Sequence, residues 1–351
     1  MQKGRQDVKL ERPDYLDNKV LIVDGLIGGG KGLMSAIAGS LPRVEMWIHK
    51  GNIEQLCAIQ HLGEITSSGS ETLLKSWFDE YFYNLSISRD INFRMSDMSS
   101  ILKDARPLRY LARLFKSCGP DTYQRVKSEE MVLNIMTHAN TAYSEPIFNA
   151  LGPRLVYVRL VRSPMTKYMI NHMARWSKRW GEDPDGMIMH SLKSNPKDRV
   201  PFYMLGRESE FLKANFIEKA ILLLDEWQHS GDEFIDNIAI KSEATIIEIP
   251  FEKFVFEPQP YINKIAKALN TIPDKVTIKE MKKQKVPRQY LTAAPQSPNY
   301  ERLGWKLNEK HNNIFDEFFA TREMFKEKIS SDILEMLDRN TNDYNERNLS
   351  E

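Results

Sequence analysis

The sequence predicts an α/β fold, a doubly wound parallel sheet with helices on both faces. Two observations predict it. An apolar, β-branched run at 19–24 leads through a glycine-rich loop into a helix-forming segment at 31–40. Further apolar runs of strand length then alternate with segments whose apolar residues recur at helical spacing. Such alternation is typical of a parallel sheet that helices cover on both sides.

The loop between the first strand and the first helix has the residues and spacing of a phosphate-binding loop. From Gly25 to Lys31 it fits the pattern G-x-x-x-x-G-K, which indicates a fold of the P-loop NTPase type. Glycines let successive backbone N–H groups turn toward one anion, and the helix N-terminus adds partial positive charge. Gly32 stands where a Ser or Thr would bind magnesium. Phosphate is therefore expected to contact Gly28, Gly29, Gly30, Lys31 and Gly32.

The rest of the chain supplies four more predicted strands and a series of helices. The strands are expected at 44–49, 131–138, 154–161 and 244–249. The helices are expected at 53–62, 71–83, 107–115, 146–150, 165–180, 208–227, 261–269 and 315–337. The helical stretch 51–130 is an elaboration between the second and third strands. No linker-like segment divides the strands, so one domain is predicted over 1–338, followed by a disordered polar tail at 339–351.

Composition and charge limit the classes of function. The chain has 49 basic and 48 acidic residues and a net charge of +1, so neither nucleic acid nor a membrane is expected as a partner. No apolar run approaches the ~20 residues that a membrane-spanning helix needs. Cys57 and Cys118 show neither metal-ligand spacing nor a disulfide scaffold, which favours a reducing, cytoplasmic location. No metal site is predicted.

Four stretches of the chain follow one another in the order seen in a known family. The glycine loop with Lys31 comes first, and Thr137-His138 follows at the end of a predicted strand. Val161-Arg162-Ser163-Pro164 comes third, at a strand-to-helix turn. The fourth stretch is 247–258, Ile-Glu-Ile-Pro-Phe-Glu-Lys-Phe-Val-Phe-Glu-Pro. With these four stretches the chain resembles the P-loop sulfotransferases, which use 3′-phosphoadenosine 5′-phosphosulfate (PAPS).

The resemblance implies an enzyme that transfers a sulfuryl group from PAPS, as nucleotide donor, to a hydroxyl or amine acceptor without a metal. Lys31 would stabilise the leaving group, and His138 would take the acceptor's proton as the catalytic base. Glu145 is the second candidate for the base. In place of the Ser/Thr-rich run that usually follows the lysine in this family, the chain has Gly32-Leu33-Met34, and Ser35 is the first hydroxyl.

The resemblance also implies residues that hold the rest of the nucleotide. Arg162 would bind the 3′-phosphate through its planar fork of donors, and Arg159 is the alternative if the alignment shifts. Asn171 is the polar residue nearest to the family's serine on the following helix. Arg288 ends a basic segment at 275–288 that would close over the nucleotide, as a C-terminal basic segment does in some relatives.

Two other functions stay open on the sequence alone. A P-loop kinase would use ATP and Mg²⁺, but Gly32 lacks the hydroxyl that such an enzyme places on the metal. A catalytically silent nucleotide-binding module is favoured by the missing hydroxyls after Lys31, whereas the presence of both Lys31 and His138 argues against it. The acceptor stays open among a carbohydrate, a lipid headgroup, a small metabolite and a protein side chain, and the oligomeric state is open as well.

Overall fold

The centre of the fold is a parallel sheet of five strands. The computed structural model describes residues 9–179, 190–192, 199–295, 303, 307, 309–310 and 313–350. The sheet order is β2-β3-β1-β4-β5, and every neighbouring pair runs parallel. The predicted α/β fold with a parallel sheet is therefore confirmed. The strands are β1 (Val20–Gly25), β2 (Ile48–His49), β3 (Leu133–Met136), β4 (Leu155–Val161) and β5 (Thr245–Pro250).

Helices fill the connections between the strands. None of them in the described part of the chain is long and apolar enough to cross a membrane. Those before β4 are α1 (Lys31–Gly39), α2 (Gly51–His61), α3 (Ser67–Ser86), α4 (Pro107–Arg113), α5 (Asp121–Ser128) and α6 (Glu145–Leu151). Those after β4 are α7 (Lys167–Arg179), α8 (Glu208–Lys213), α9 (Phe216–Lys241), α10 (Phe251–Phe256), α11 (Gln259–Ala268), α12 (Lys275–Lys283), α13 (Ile314–Phe325) and α14 (Ser331–Asn348).

The central strand β1 is buried on both faces. Successive side chains in a strand point to opposite faces, so Val20 and Ile22 belong to one apolar cluster while Leu21 and Val23 belong to another. Side chains of α3, α6, α7 and α9 pack in the first cluster, and side chains of α1 and α11 pack in the second. This two-sided burial explains why β1 is a continuous apolar run and confirms that helices cover both faces.

The strand order places the glycine loop at a topological switch point. From β1 the chain continues to β2 and β3 on one side and later to β4 and β5 on the other. The carboxyl ends of β1, β3 and β4 therefore lie side by side, and ligands of open α/β sheets bind at such a point. Residues that follow these three strands are thus brought to one edge.

Three predicted elements differ from those observed. The helix expected over 315–337 is divided into α13 and α14. The second strand, expected over 44–49, is reduced to β2, with Val44 forming only an isolated bridge to Val132. The helix expected over 208–227 is divided into α8 and α9. Asn215 separates them, since its side chain accepts from the backbone N–H groups that open α9 and forms a capping box with Glu218.

The predicted disordered tail at 339–351 is wrong over most of its length, because α14 continues through it to Asn348. The segment is polar in composition, but it contains one buried aromatic residue. Tyr344 is 2% exposed and its hydroxyl donates a hydrogen bond to buried Glu252. Arg347 pairs with Asp236 on α9 at 2.8 Å. These contacts hold the last turns of α14 against the domain. The predicted single domain over 1–338 stays a prediction.

Removing residues 339–351 is expected to lower the free energy of unfolding by about 3–5 kcal/mol, the usual cost of losing a large buried aromatic side chain. A chain that ends at Asn348 keeps Tyr344 and is expected to lie within about 0.5 kcal/mol of the full chain. Urea unfolding followed by circular dichroism measures both differences. If the chain without residues 339–351 were as stable as the full chain, the last turns of α14 would not support the fold.

Candidate functional site

A cleft of about 720 Å³ opens beside the glycine loop at the carboxyl edge of the sheet. This volume suits a nucleotide-sized ligand. Most of the residues predicted for the site line it, although they come from four separate parts of the chain. These residues are Gly28, Gly30, Lys31, Gly32, His138, Arg162 and Arg288, and Ser35 also lines the cleft.

The loop backbone takes a conformation that needs glycine. Gly28 and Gly30 have φ of 87° and 98°, in the left-handed region that other L residues adopt with strain. Gly30 is also the N-cap of α1 and offers no side chain to its first N–H groups. The donors that open α1 are therefore left for a ligand at the cleft, as in a phosphate cradle.

Gly30→Ala is expected to destabilise the protein by about 2–4 kcal/mol. A Cβ at this position would lie 2.5 Å from the ring of Phe251, so the strain of a positive φ adds to an overpacking cost. Gly63→Ala is the matched control, because Gly63 has a φ of +75° and open space around it. The control is expected to cost only about 1–2 kcal/mol in urea unfolding. Equal losses in the two variants would argue against close packing at Phe251.

Lys31 is buried at the start of α1 and points back along the loop. Its ammonium donates to the carbonyl oxygens of Gly25 at 2.9 Å and Leu26 at 2.8 Å. An ammonium has three N–H donors, so one is left for a ligand. Burial lowers the pKa of Lys31 to about 8, against the attraction of the Asp24 and Glu54 carboxylates. A phosphate or sulfate in the cleft would raise this pKa again.

Asp24, at the end of β1, has a structural role. Its carboxylate accepts hydrogen bonds from the hydroxyls of Thr137 at 2.8 Å, Thr141 at 2.5 Å and Tyr157 at 3.1 Å. The backbone N–H of Asn140 donates to it as well, at 3.1 Å. Asp24 therefore fixes the segment that follows β3 and carries His138, and its oxygens are already engaged as acceptors.

Arg162 and Arg288 meet at one aromatic ring, 126 residues apart in the sequence. The guanidinium carbon of Arg162 lies 4.3 Å from the ring centroid of Phe251, and that of Arg288 lies 5.5 Å from it. Arg162 also donates to the carbonyl oxygen of Gly28 at 2.9 Å, and Arg288 donates to that of Leu291 at 2.8 Å. The two arginines thus form a fixed cationic wall beside the loop.

Four other predicted residues do not line the cleft. The backbone N–H of Gly29 donates to the carbonyl oxygen of Leu26 at 2.9 Å. Arg159 forms ion pairs with Asp232 at 2.6 Å and Glu248 at 2.8 Å, so the alternative to Arg162 has a structural role. Asn171 donates to the carbonyl oxygen of Leu303 at 2.9 Å. Each helical residue is turned by about 100° from the last, so α7 presents His172 to the cleft instead. The second candidate base, Glu145, is exposed where α6 begins.

His138 belongs to a cluster with Glu54 and His49 that the sequence did not predict. Glu54 Oε1 accepts from the backbone N–H of His138 at 2.9 Å and lies 3.2 Å from its Nδ1. The same oxygen lies 3.1 Å from Nε2 of His49, and the two imidazole rings meet edge to face at 4.6 Å. The three side chains offer a nitrogen, a nitrogen and an oxygen, a donor set that metals also use.

The charge of Glu54 decides which nitrogen of His138 carries the proton. Burial alone would raise the pKa of Glu54, but hydrogen bonds from His138 and His49 lower it to about 2. An ionised carboxylate only accepts hydrogen bonds, so Nδ1 of His138 is the donor. Burial lowers the pKa of His138, so its imidazole is neutral at pH 7. Its Nε2 then carries the lone pair, as a base requires.

One sequence signal could have found the two missed residues. His49 ends a predicted strand, as His138 does, and Glu54 follows His49 in the first turn of the next helix. Residues at the carboxyl ends of neighbouring parallel strands share an edge, and β2 is paired with β3. Only the strand order shows that these two strands are neighbours.

A smaller cavity adjoins the cleft at His138. Aromatic side chains form much of its wall, and Glu54 and His138 also line it, together with Gln55, Asn140 and His190. His138 therefore lies between the cleft beside the glycine loop and a cavity whose wall is largely aromatic. The aromatic lining consists of Tyr143, Phe202, Tyr203 and Trp227.

Several solved structures resemble this fold at low identity, whereas no family model and no curated protein matches the chain. Sulfotransferase STF1 from Mycobacterium tuberculosis H37Rv has 10% identity and a TM-score of 0.37, over 76% of this chain and 71% of that one. The sulfotransferase domain of the curacin biosynthetic pathway has 12% identity and a TM-score of 0.41, over 88% and 98%. The sulfotransferase domain of the Synechococcus PCC 7002 olefin synthase has 11% identity and a TM-score of 0.38, over 91% and 98%. All three are named sulfotransferases. At these values the function has to be argued from the site.

Proposed function

We propose that the protein transfers a sulfuryl group from PAPS to a hydroxyl or amine acceptor. The observation that carries the proposal is the meeting of Lys31 and His138 in one cleft. Lys31 is a buried cation at the glycine loop, and His138 is a neutral imidazole whose Nδ1 donates to Glu54. A cation for the leaving group and a base for the acceptor are the two groups that sulfuryl transfer needs.

The donor is assigned from the charges around the cleft. The open N–H groups of α1 and Lys31 would hold the 5′-phosphosulfate. Arg162 and Arg288, which both lie against the ring of Phe251, would hold a second phosphate, the 3′-phosphate of PAPS. Gly32 supplies no hydroxyl for magnesium, and the carboxylate of Asp24 is engaged as an acceptor in the fold. Both features favour a transfer without magnesium over an ATP-dependent one.

In the proposed reaction the acceptor oxygen or nitrogen forms a bond to sulfur while the bond from sulfur to the bridging phosphate oxygen breaks. The electron pair stays on that oxygen, where the ammonium of Lys31 stabilises it. Nε2 of His138 takes the acceptor's proton and later releases it to solvent. Glu54 holds the imidazole in the required tautomer and stabilises the imidazolium. The aromatic cavity beyond His138 favours an acceptor with an aromatic or apolar body.

Isothermal titration with 3′-phosphoadenosine 5′-phosphate and with 5′-AMP, both in EDTA, tests the donor site. Arg162→Ala is expected to weaken the bisphosphate about 10- to 150-fold, since a hydrogen bond to a charged group contributes about 1.5–3 kcal/mol. The affinity for 5′-AMP is expected to stay unchanged, because it lacks the 3′-phosphate. Arg94→Ala, an exposed arginine, is the control. A separate titration with ATP and magnesium omits EDTA, and binding of ATP there without binding of the bisphosphate would replace this proposal with a kinase.

A further inference from the structure

We propose that His49, Glu54 and His138 bind one transition-metal dication of the Zn²⁺ class. The binding itself does not depend on the proposed function. The three ligand atoms come from the end of β2, the first turn of α2 and the segment after β3, and they lie within 4.8 Å of one another. Three protein ligands are enough for such a site, because catalytic zinc sites often use three and leave the fourth position open.

Small side-chain shifts would bring the cluster to the geometry of such an ion. Ligand atoms about 2.0–2.2 Å from a tetrahedral metal lie about 3.3–3.6 Å apart. Oε1 of Glu54 lies slightly closer than this, 3.1 Å from the His49 nitrogen and 3.2 Å from the His138 nitrogen, and all three ligand atoms lie within 4.8 Å of one another. The ion would replace the two protons now shared with Glu54. Within the described residues, Oε2 of Glu54 has no hydrogen-bond partner and adds a second possible ligand atom.

Donor type selects the class of ion. Glu54 supplies the one negative charge of the cluster, and the nearby ammonium of Lys31 acts in the opposite direction at His138. Two imidazoles and one carboxylate suit zinc, cobalt and nickel, whereas magnesium and calcium prefer sites made of oxygen alone. The aromatic cavity that Glu54 and His138 line adjoins the cluster.

Binding would have a chemical consequence that rests on the proposed function. A metal on Nδ1 of His138 takes the place of the proton that now points to Glu54. The neutral imidazole must then carry its proton on Nε2, so it can no longer accept a proton from the acceptor. Zn²⁺ would therefore block the transfer step and leave the donor site, at the loop and the two arginines, intact.

The test uses the full chain without a histidine tag and titrates it with ZnCl₂ by calorimetry and with CoCl₂ by visible absorption. We expect one equivalent to bind, with cobalt bands of a tetrahedral site. His49→Ala and Glu54→Gln are each expected to weaken Zn²⁺ by at least the roughly 10–100-fold that loss of an outer-shell partner costs. His229→Ala, which removes an exposed histidine of α9, is expected to leave the affinity unchanged.

The outcomes separate this proposal from the proposed function. Absence of stoichiometric Zn²⁺ and Co²⁺ binding to the wild type, or equal binding by His49→Ala and Glu54→Gln with native circular dichroism, overturns the metal site. Titration of 3′-phosphoadenosine 5′-phosphate with and without Zn²⁺ reports the donor site independently. Unchanged nucleotide affinity in the zinc-loaded protein is expected.

Discussion

Replacing Lys31 with alanine is expected to lower kcat/KM for the proposed sulfuryl transfer by about 10²–10³-fold, the usual effect of removing one preorganised donor from a developing negative charge. The ammonium is buried and held by the carbonyl oxygens of two loop residues. A water molecule that replaced it in the variant would lack both the charge and this fixed position. Lys283→Ala is the matched control, since Lys283 also lines the cleft but is half exposed. It is expected to change kcat/KM by no more than about fivefold. A comparable loss in both variants would indicate a general effect of positive charge.

The same lysine predicts how the rate depends on pH. Burial lowers the pKa of Lys31 to about 8 in the free protein, and only the charged form assists the leaving group. The profile of kcat/KM, which reports free-enzyme groups, is therefore expected to fall above pH 8, about tenfold per pH unit. Bound donor carries negative charge that raises this pKa, so kcat is expected to stay level over the same range. Persistence of the alkaline fall in Lys31→Ala would assign it to another group.

Local signals in the sequence were sufficient for much of the fold and for part of the site. The β-branched run before Gly25, the three glycines and the helix after Lys31 are adjacent in the chain, so their pattern predicts both the elements and the phosphate cradle. His138 and Arg162 directly follow predicted strands, and parallel strands bring their carboxyl ends to one edge. Order along the chain therefore predicts their common location.

Contacts between distant elements could not be predicted in this way. Arg288 meets Arg162 only because both guanidiniums lie against Phe251, and nothing local to Arg288 indicates that ring. The last turns of α14 have the composition of a disordered tail. The Tyr344 side chain is nevertheless buried, and its hydroxyl donates to Glu252. Asn171 does not line the cleft, because one step along a helix turns a side chain by about 100° and His172 lines it instead.

Replacing His138 with alanine is expected to reduce kcat by about 10²–10⁴-fold, because the acceptor then loses its proton without a positioned base. Measurements in EDTA keep metal ions from the cluster. The affinity for 3′-phosphoadenosine 5′-phosphate is expected to stay within about fivefold of wild type, since an imidazole that is neutral at pH 7 contributes no full charge to the donor site. A parallel loss of nucleotide affinity would place His138 in the donor site.

Glu54→Gln separates the base from the residue that positions it. The amide keeps the size of the carboxylate but can donate to Nδ1 of His138 as well as accept from it, so the imidazole is no longer confined to one tautomer. We expect kcat to fall about 10- to 150-fold, less than for His138→Ala, since a hydrogen bond to a charged group contributes about 1.5–3 kcal/mol. Imidazole ¹⁵N shifts are expected to show Nδ1–H in the wild type and a mixture of tautomers in the variant. A lower kcat with the wild-type ¹⁵N shifts would mean that Glu54 supports the fold at the end of β3 and does not orient the base.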